Sequence, residues 1–313
     1  MVGSILIAGK SGRVARDLVD EAGRLKLAVR ALGRPNLDIE DRDSIARVLE
    51  AEAPRVIINA AALAAMDEAE RAPERAFAVN CQAAARLAAA AVGAGIPLLH
   101  LSTDYVFDGS KGAPYREDDA TAPLSVYGRS KEAGERAVLD AHPGAIVVRT
   151  SWVFGRHGTN FLTTMLRLAA TESVVRVVAD QRGTPTAGAD LARALLAIAE
   201  RVAVPRRLGS PPAGSSPGIY HIAGSGETTW LGLAEAIFAG WARRGHRVPA
   251  IQTISAADWP GPARRPRDSR LDCRKAERAF GIALPDWTES LARCLDDLAQ
   301  SHAEEGRIAR MHD

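Results

Sequence analysis

The stretch "SILIAGKSGRVARDLVDEAGRL" occupies residues 4–25, and its reading decides the fold. "SILIAG" (4–9) is a short apolar run that stops at a glycine, which predicts a buried strand. "RVARDLVDEAGRL" (13–25) repeats its apolar residues at helical spacing and predicts an amphipathic helix. Between them lies "GKSGRVA" (9–15), with Gly9, Gly12 and the small Ala15 at turn positions. Glycines there let the backbone turn tightly and bring N–H groups to a pyrophosphate at the helix N-terminus. A bare GxxGxxA suits a plain structural turn nearly as well. Its place between strand and helix favours a dinucleotide held by Gly9, Lys10, Ser11 and Gly12.

Working outward, the same alternation continues. "KLAVRAL" (26–32) predicts a strand, "DSIARVLEAEAP" (43–54) a helix and "RVIINAAA" (55–62) a third strand. A long helix through "AFAVNCQAAARLAAAAVGAG" (76–95) precedes the strand "PLLHLSTD" (97–104), and "AIVVRTS" (145–151) is a further strand. Strands apolar throughout, alternating with helices, predict an α/β fold with a doubly wound parallel sheet covered on both faces. Ligands of such sheets bind beyond the carboxyl ends of the strands. The second half is less regular, and a smaller α/β lobe is expected there. The nucleotide-binding unit is expected over 1–152, with returning segments near 172–202 and 218–224. The smaller lobe would take 153–171 and most of 225–300, "RRLGSPPAGSSPG" (206–218) would be a solvated loop, and 301–313 a mobile tail.

The bulk properties narrow the function class. The chain has 313 residues, 47% hydrophobic and 25% charged, with a net charge of +2, which gives no basic face for nucleic acid and no lipid-binding surface. No continuous apolar run reaches membrane-spanning length, and the N-terminus turns glycine-rich too early for a signal peptide. Cys81, Cys273 and Cys294 show no CxxC spacing, so neither a zinc site nor a disulfide framework is expected, and a reducing, cytoplasmic setting is.

The chemistry concentrates in two stretches. In "SVYGRSKEAGE" (125–135), Tyr127 and Lys131 stand four residues apart at the start of a helix, and so on one face. Such a pair is usually a surface tyrosine lying on a lysine stem. The functional reading has Lys131 lower the proton affinity of the Tyr127 phenol, so that it exchanges a proton near neutral pH. "HLSTDYVFDG" (100–109) supplies Ser102, Thr103 and Asp104 at the end of a buried strand. Thr103 would bind a substrate carbonyl oxygen beside Tyr127, and Asp104 either joins the site or caps a turn. With the glycine-rich turn, these residues make a hydride-transfer site, in which Lys131 also holds the nicotinamide ribose. The end of the second strand carries Arg30, with Arg34 close behind and no carboxylate before Asp38. Arginine there accommodates a 2′-phosphate, so NADPH is expected over NADH. Asp38 and Ile39 would clamp the adenine edge, and the small residues Ala61 and Ala62 would let a ligand approach the backbone.

These motifs resemble the extended short-chain dehydrogenase/reductase family, over nearly the whole chain. The resemblance is carried by "ILIAGKSGRV", "STDYVFDG", "APLSVYGRSKEAGE", "VVRTSWVFG", "DQRGTPT", "GIYHIAGSGETTW" and "PARRPRDSRLD". Within the family it is nearest the reductases of dTDP-4-dehydro-6-deoxy sugars. It implies reduction of the C4 ketone of dTDP-4-dehydro-L-rhamnose, with Tyr127 as proton donor, Lys131 beside it and Thr103 as tuning hydroxyl. Arg13, Val14, Leu63 and Ala64 would join the cofactor site. Asp104, Tyr105 and Trp152 would meet the sugar, although Trp152 suits a core position equally, and Arg265 would meet the diphosphate. Leu63 and Ala64 stand where relatives carry a polar pair such as His-Thr, which leaves the sugar open. A homodimer is implied by analogy, and no metal is expected. The alternatives are a reductase or epimerase of another nucleotide sugar, and a nucleotide-binding regulatory subunit without catalysis.

Overall fold

The structure, a computed structural model, describes residues 3–203 and 216–309. Its larger lobe opens with β1 (Ile5–Ala8), α1 (Arg13–Leu25), β2 (Val29–Leu32), α2 (Arg42–Glu52) and β3 (Val56–Asn59). After α3 (Met66–Arg71), α4 (Pro73–Phe77) runs through a π-helical stretch, Ala78–Ala83, into α5 (Ala84–Gly93). Then come β4 (Leu98–Thr103), α6 (Val126–Ala141) and β5 (Ile146–Thr150). With β10 (Gly218–His221) these strands form a six-stranded sheet in the order β10-β5-β4-β3-β1-β2, every pair parallel.

Side chains alternate across a strand, so each apolar strand feeds two cores. Ile5, Ile7, Ile58 and Val148 face α1 and α8 (Gly188–Val202). Leu6, Ala8, Ile57 and Val147 face α2, α5 and α6. Burial on both faces explains why these strands read as continuous apolar runs. The unbroken segment Pro73–Gly93 is 21 residues long and apolar enough to cross a membrane by length and composition. Its apolarity is mostly alanine, and Ala83, Ala84, Leu87, Ala88 and Ala91 join the sheet's second core.

The smaller lobe assembles around its own core. It contains β6 (Val153–Phe154), α7 (Phe161–Thr171), β7 (Val174–Val178), β8 (Arg182–Gly183), β9 (Thr186–Ala187), β11 (Thr228–Thr229), α9 (Trp230–Arg243), β12 (Ala250–Ile254) and α11 (Trp287–Ala309). β7 pairs with β12 in parallel, and Val175, Val177, Leu233, Ile237 and Leu291 share one cluster. The return to the sheet therefore begins at α8 and not near 172, because β7 finds its partner in the smaller lobe. A second return is α10 (Arg274–Phe280), whose Ala276 and Phe280 pack in the sheet's first core. The last helix continues to Ala309, into the stretch 301–313 expected as a tail. Most of the expected loop 206–218 and residues 310–313 lie outside the described residues.

Candidate active site

The sheet order places β1 between β2 and β3, so the connections leave β1 and β3 in opposite directions. This is the topological switch point of a doubly wound sheet, where a crevice opens at the strand ends. A groove of about 450 Å³ lies there, walled by Gly9–Gly12, Leu32–Arg34, Leu37–Glu40 and Ala60–Ala65. Gly9 has φ 116°, and a Cβ on it would sit 3.1 Å from the Ala61 nitrogen. Only glycine lets the turn lie this close to the end of β3. Gly12 is the N-cap of α1 and supplies no side-chain cap, so the first N–H groups of the helix are left for a ligand. The groove and the uncapped helix end fit a dinucleotide pyrophosphate.

The adenosine end differs from expectation at Arg30. β2 runs on to Leu32, and the Arg30 side chain makes a two-pronged ion pair with Glu52 at the end of α2, at 3.1 and 3.0 Å. Arg30 is thus outside the groove wall, and Arg34 stands on it. Arg34 binds Asp38 at 2.8 and 3.1 Å and also pairs with Glu40, which pairs in turn with Arg75. Asp38 and Ile39 do line the groove, as do Lys10, Ser11, Ala61, Ala62, Leu63 and Ala64. Val14 instead packs into the sheet's first core. Arg13 turns across α1's start, donates to the Val153 carbonyl at 3.2 Å and acts electrostatically on Tyr127.

Tyr127 and Lys131 sit on α6, whose N-cap Ser125 accepts from the Gly128 amide at 3.1 Å. Gly128 has no room for a side chain, since a Cβ would lie 2.2 Å from the Tyr105 carbonyl oxygen. That closeness brings the helix onto the strand end that carries Thr103. The Tyr105 ring meets the Tyr127 ring edge-on, with centroids 6.5 Å apart. Leu63, from the groove wall, and Tyr127 pack against the same small cluster of Ala69, Ala76 and Val126, which sets the start of α6 beside the groove.

The electrostatics sort the roles. Burial pushes the Tyr127 phenol up to about 12, while the Thr103 hydroxyl and the Arg13 guanidinium favour its ionised form. Burial pulls Lys131 down to about 8 against the pull of Glu135. Lys131 does not lower the phenol as expected. Its Nζ is drawn inward, donating to the Leu101 carbonyl at 2.6 Å and lying 3.3 Å from His100 Nε2. Asp104 is buried and raised to about 7, the Ser269 and Thr103 hydroxyls only moderating the effect of burial. Thr103 donates to Asp104 at 3.0 Å and accepts from the Tyr105 amide at 3.2 Å. The hydroxyl of Ser102 is buried and finds no partner among the described residues.

One residue expected at the sugar lies differently. Trp152 is 8% exposed in the smaller lobe's core, stacked on Trp230 with centroids 3.6 Å apart. Gly183 makes room for the indole, whose Nε1 is buried without a partner among the described residues. Trp152 is therefore a wall of the smaller lobe and not an open face. Arg265 is half-buried and its charge acts on Tyr105, which carries the diphosphate candidate to the rim of the site.

Sequence reasoning passed over the residues that lock the pieces together. Asn80, in the π-helical stretch, accepts from the Leu63 amide at 2.8 Å and donates to the Leu63 carbonyl at 3.1 Å. Its amide also donates to Ser130 Oγ at 2.9 Å, and Ser130 donates to the Tyr127 carbonyl at 2.8 Å. One side chain thus fastens the groove-wall loop at Leu63 to α6. A polar residue inside the alanine-rich helix was the available signal. Among the described residues, no three His, Cys, Asp or Glu side chains gather as a metal would require.

Known proteins are similar to this chain over nearly its whole length. The dTDP-4-dehydrorhamnose reductase of Sinorhizobium fredii is 46% identical over 289 residues, covering 92% of this chain and 95% of that protein. The Escherichia coli protein of that name is 38% identical, covering 94% and 98%. The crystal structure of the Bacillus anthracis dTDP-4-dehydrorhamnose reductase in complex with NADP superposes with a TM-score of 0.85 at 30% identity, covering 95% and 100%. A UDP-glucose 4-epimerase of Thermotoga maritima shares the fold at 20% identity and a TM-score of 0.76. The pattern of the RmlD substrate binding domain matches residues 3–300, and the chain belongs to that family.

Proposed function

We propose that this chain reduces the C4 ketone of dTDP-4-dehydro-L-rhamnose to dTDP-L-rhamnose, with NADPH as the reductant. The observation that carries the reading is the Tyr127 phenol in hydrogen-bond reach of Thr103, one helical turn from Lys131, on a helix that packs beside a groove suited to a dinucleotide. The cofactor, when bound, supplies hydride to the ketone carbon. Gly9, Gly12 and the first N–H groups of α1 hold its pyrophosphate, and the Ala60–Ala64 backbone flanks it. Arg34 and Arg75 supply the positive charge for a 2′-phosphate, released from Asp38 and Glu40 as the phosphate takes their place.

Tyr127 delivers the proton to the ketone oxygen. Burial keeps the phenol protonated through the working pH range, as a donor requires. As the proton leaves, Thr103 and Arg13 stabilise the phenolate, while Lys131, bound inward to the Leu101 carbonyl, stands one turn further along α6. Asp104 and Tyr105 approach the sugar, and Arg265 pairs with the diphosphate. The larger lobe holds the cofactor, and the smaller lobe closes the sugar nucleotide against it.

The test is NADPH oxidation with dTDP-4-dehydro-L-rhamnose, wild type against Tyr127→Phe, with NADH in parallel. Turnover should fall by about 10²–10⁴ in the variant, the usual worth of a general acid, with NADPH affinity retained. Equal turnover would remove Tyr127 from the mechanism, and an inactive wild type that still binds NADPH would point to another sugar.

A further inference from the structure

At the adenosine end of the dinucleotide groove, an anion already sits where two arginines converge. Glu40, between β2 and α2, pairs through one carboxylate oxygen with Arg34 and through the other with Arg75 of α4. Both arginines, Asp38 and Glu40 all line the groove. Arg75 stands 35 positions further along the chain, so the fold, and not the local sequence, brings it to Glu40. Arg75 foremost, and Arg34 with it, hold the Glu40 carboxyl below the ordinary glutamate value, against the opposing effect of partial burial. Glu40 is therefore ionised at working pH.

The two carboxylates that share Arg34 are held in different ways. Asp38 is part of the turn itself: its carboxylate accepts from the Glu40 amide at 3.0 Å, and its own amide donates to Ser44 Oγ at 3.0 Å. Its two bonds from Arg34 span 2.8 and 3.1 Å. Asp38 thus stays in place whichever dinucleotide arrives, and as a carboxylate it suits ribose hydroxyls. The backbone of Glu40 is fixed as well, because its amide is tied to Asp38 and the next residue, Asp41, caps α2. Its carboxylate is held by side chains, the two arginines. A rotation about the bonds of the Glu40 side chain releases both guanidiniums without disturbing the turn.

We propose that Glu40 is the specificity-determining residue for the dinucleotide, a built-in competitor that occupies the two arginines a 2′-phosphate needs. This inference rests on the cofactor groove of the proposed function and deepens it. A phosphate pairs with guanidinium groups in bidentate fashion, as a carboxylate does, and carries more charge. To reach Arg34 and Arg75 it must displace the Glu40 carboxylate, which then remains nearby as a like charge. NADH has no phosphate there and leaves the bridge from Arg34 through Glu40 to Arg75 intact. The arginines make the grip on NADPH possible, and Glu40 sets how far it exceeds the grip on NADH. The side chains of Arg34 and Arg75 are 56% and 42% exposed, so water screens each ion pair. The competition is thus a graded handicap and not a block.

The test compares Glu40→Gln with wild type by calorimetric titration of NADPH and NADH, with no sugar nucleotide present. Glutamine keeps the length and shape of the side chain and removes its charge. NADPH should bind about 10-fold more tightly in the variant, since two partly screened ion pairs are no longer given up. NADH should change by less than about 2-fold. Adenosine 2′,5′-bisphosphate against AMP should repeat the difference, which locates it at the 2′-phosphate. In steady state the KM for NADPH should fall, with kcat near wild type. Glu68 also lines the groove, and Glu68→Gln removes a charge there without freeing either arginine, so it should move both dinucleotides alike. Unchanged NADPH affinity in folded Glu40→Gln overturns the inference, as does an equal gain for NADH or the same NADPH-selective gain in Glu68→Gln. Wild-type protein that binds neither dinucleotide overturns it together with the cofactor reading. A shifted preference in a protein inactive on the sugar nucleotide leaves Glu40 in its role and removes the substrate reading alone.

Discussion

Asp104 is buried at the end of β4, and desolvation raises its carboxyl to about 7. A carboxyl raised in the folded state binds its proton more tightly there than in the unfolded chain, where it titrates near about 3.9. Its contribution to stability is therefore full below the unfolded value and is lost as pH climbs through about 7. Asp104→Asn removes that loss. The variant should melt several degrees above wild type at alkaline pH, on the order of 1–3 kcal/mol, with the gap closing as the pH approaches the unfolded carboxyl range. Melting temperatures across the pH series check it, and a pH-independent gap would separate Asp104 from this titration. The cofactor end offers a second residue test. Arg34→Ala should weaken NADPH by about 10-fold or more, the worth of a charge-assisted hydrogen bond, and leave NADH nearly unchanged. Isothermal titration with both cofactors decides; equal losses would deny Arg34 the 2′-phosphate. Arg34 and Arg30 also show where reading residues one at a time stops. Tyr127, Lys131 and Thr103 were legible because helix spacing and a strand end place them without help from distant residues. Arg30 was misplaced although β2 ends at Leu32 as composition suggested, because its side chain turns to the end of α2 and not to the groove. Glu52, which captures Arg30, lies 22 positions away.

At the scale of elements, the helix Pro73–Gly93 was legible as a helix, but its π-helical interruption was not. Nothing in "AVNCQA" forbids regular α-helix. The extra residue is set by the neighbours, since Asn80 bonds both polar groups of Leu63, and a Cβ on Gly134 of α6 would lie 2.1 Å from the Asn80 carbonyl oxygen. Such π-helical turns recur at functional sites. Here the turn presses the catalytic helix, the cofactor loop and β4 into one unit. Asn80→Ala would strand the Leu63 amide and the Leu63 carbonyl. Each buried orphan costs about 1–3 kcal/mol, so the variant should lose at least that in stability. Turnover should fall further than NADPH affinity, because the loop–helix register is what sets the distance between hydride donor and phenol. Denaturant melts paired with steady-state kinetics check both halves. A stable variant of full activity would reduce Asn80 to a bystander. The pairing of Asn59 with His100 was hidden for the same reason: it depends on β3 lying beside β4 in one register, which periodicity alone does not report.

For the whole molecule, the doubly wound sheet was legible from the first strand and turn, because strand burial on both faces writes itself into composition. The interleaving of the lobes was not. β7 reads as another sheet strand and pairs with β12 instead, and α10 reads as smaller lobe and packs under the sheet. Long-range pairing decides both. The consequence is a division of binding. Every residue walling the dinucleotide groove comes from positions 9–79, while Arg265 reaches the site from the far end of the chain. The smaller lobe is held by its own core, in which Trp230 stacks on Trp152 and tilts against Phe161. Cofactor should therefore bind first and without help from the smaller lobe. At about 100 times its Kd, NADPH alone should stabilise the protein by about 2.7 kcal/mol, read as a rise in melting temperature with no sugar nucleotide present. Trp230→Ala should leave NADPH affinity within about 2-fold while weakening the sugar nucleotide by about 10-fold or more, since core truncation of a large aromatic costs about 3–5 kcal/mol and loosens the wall on which Trp152 rests. Calorimetric titration of each ligand into wild type and variant separates the two outcomes. Parallel loss of both ligands would mean that the lobes bind as one, and that the groove at the β1–β3 switch point depends on the smaller lobe for its shape.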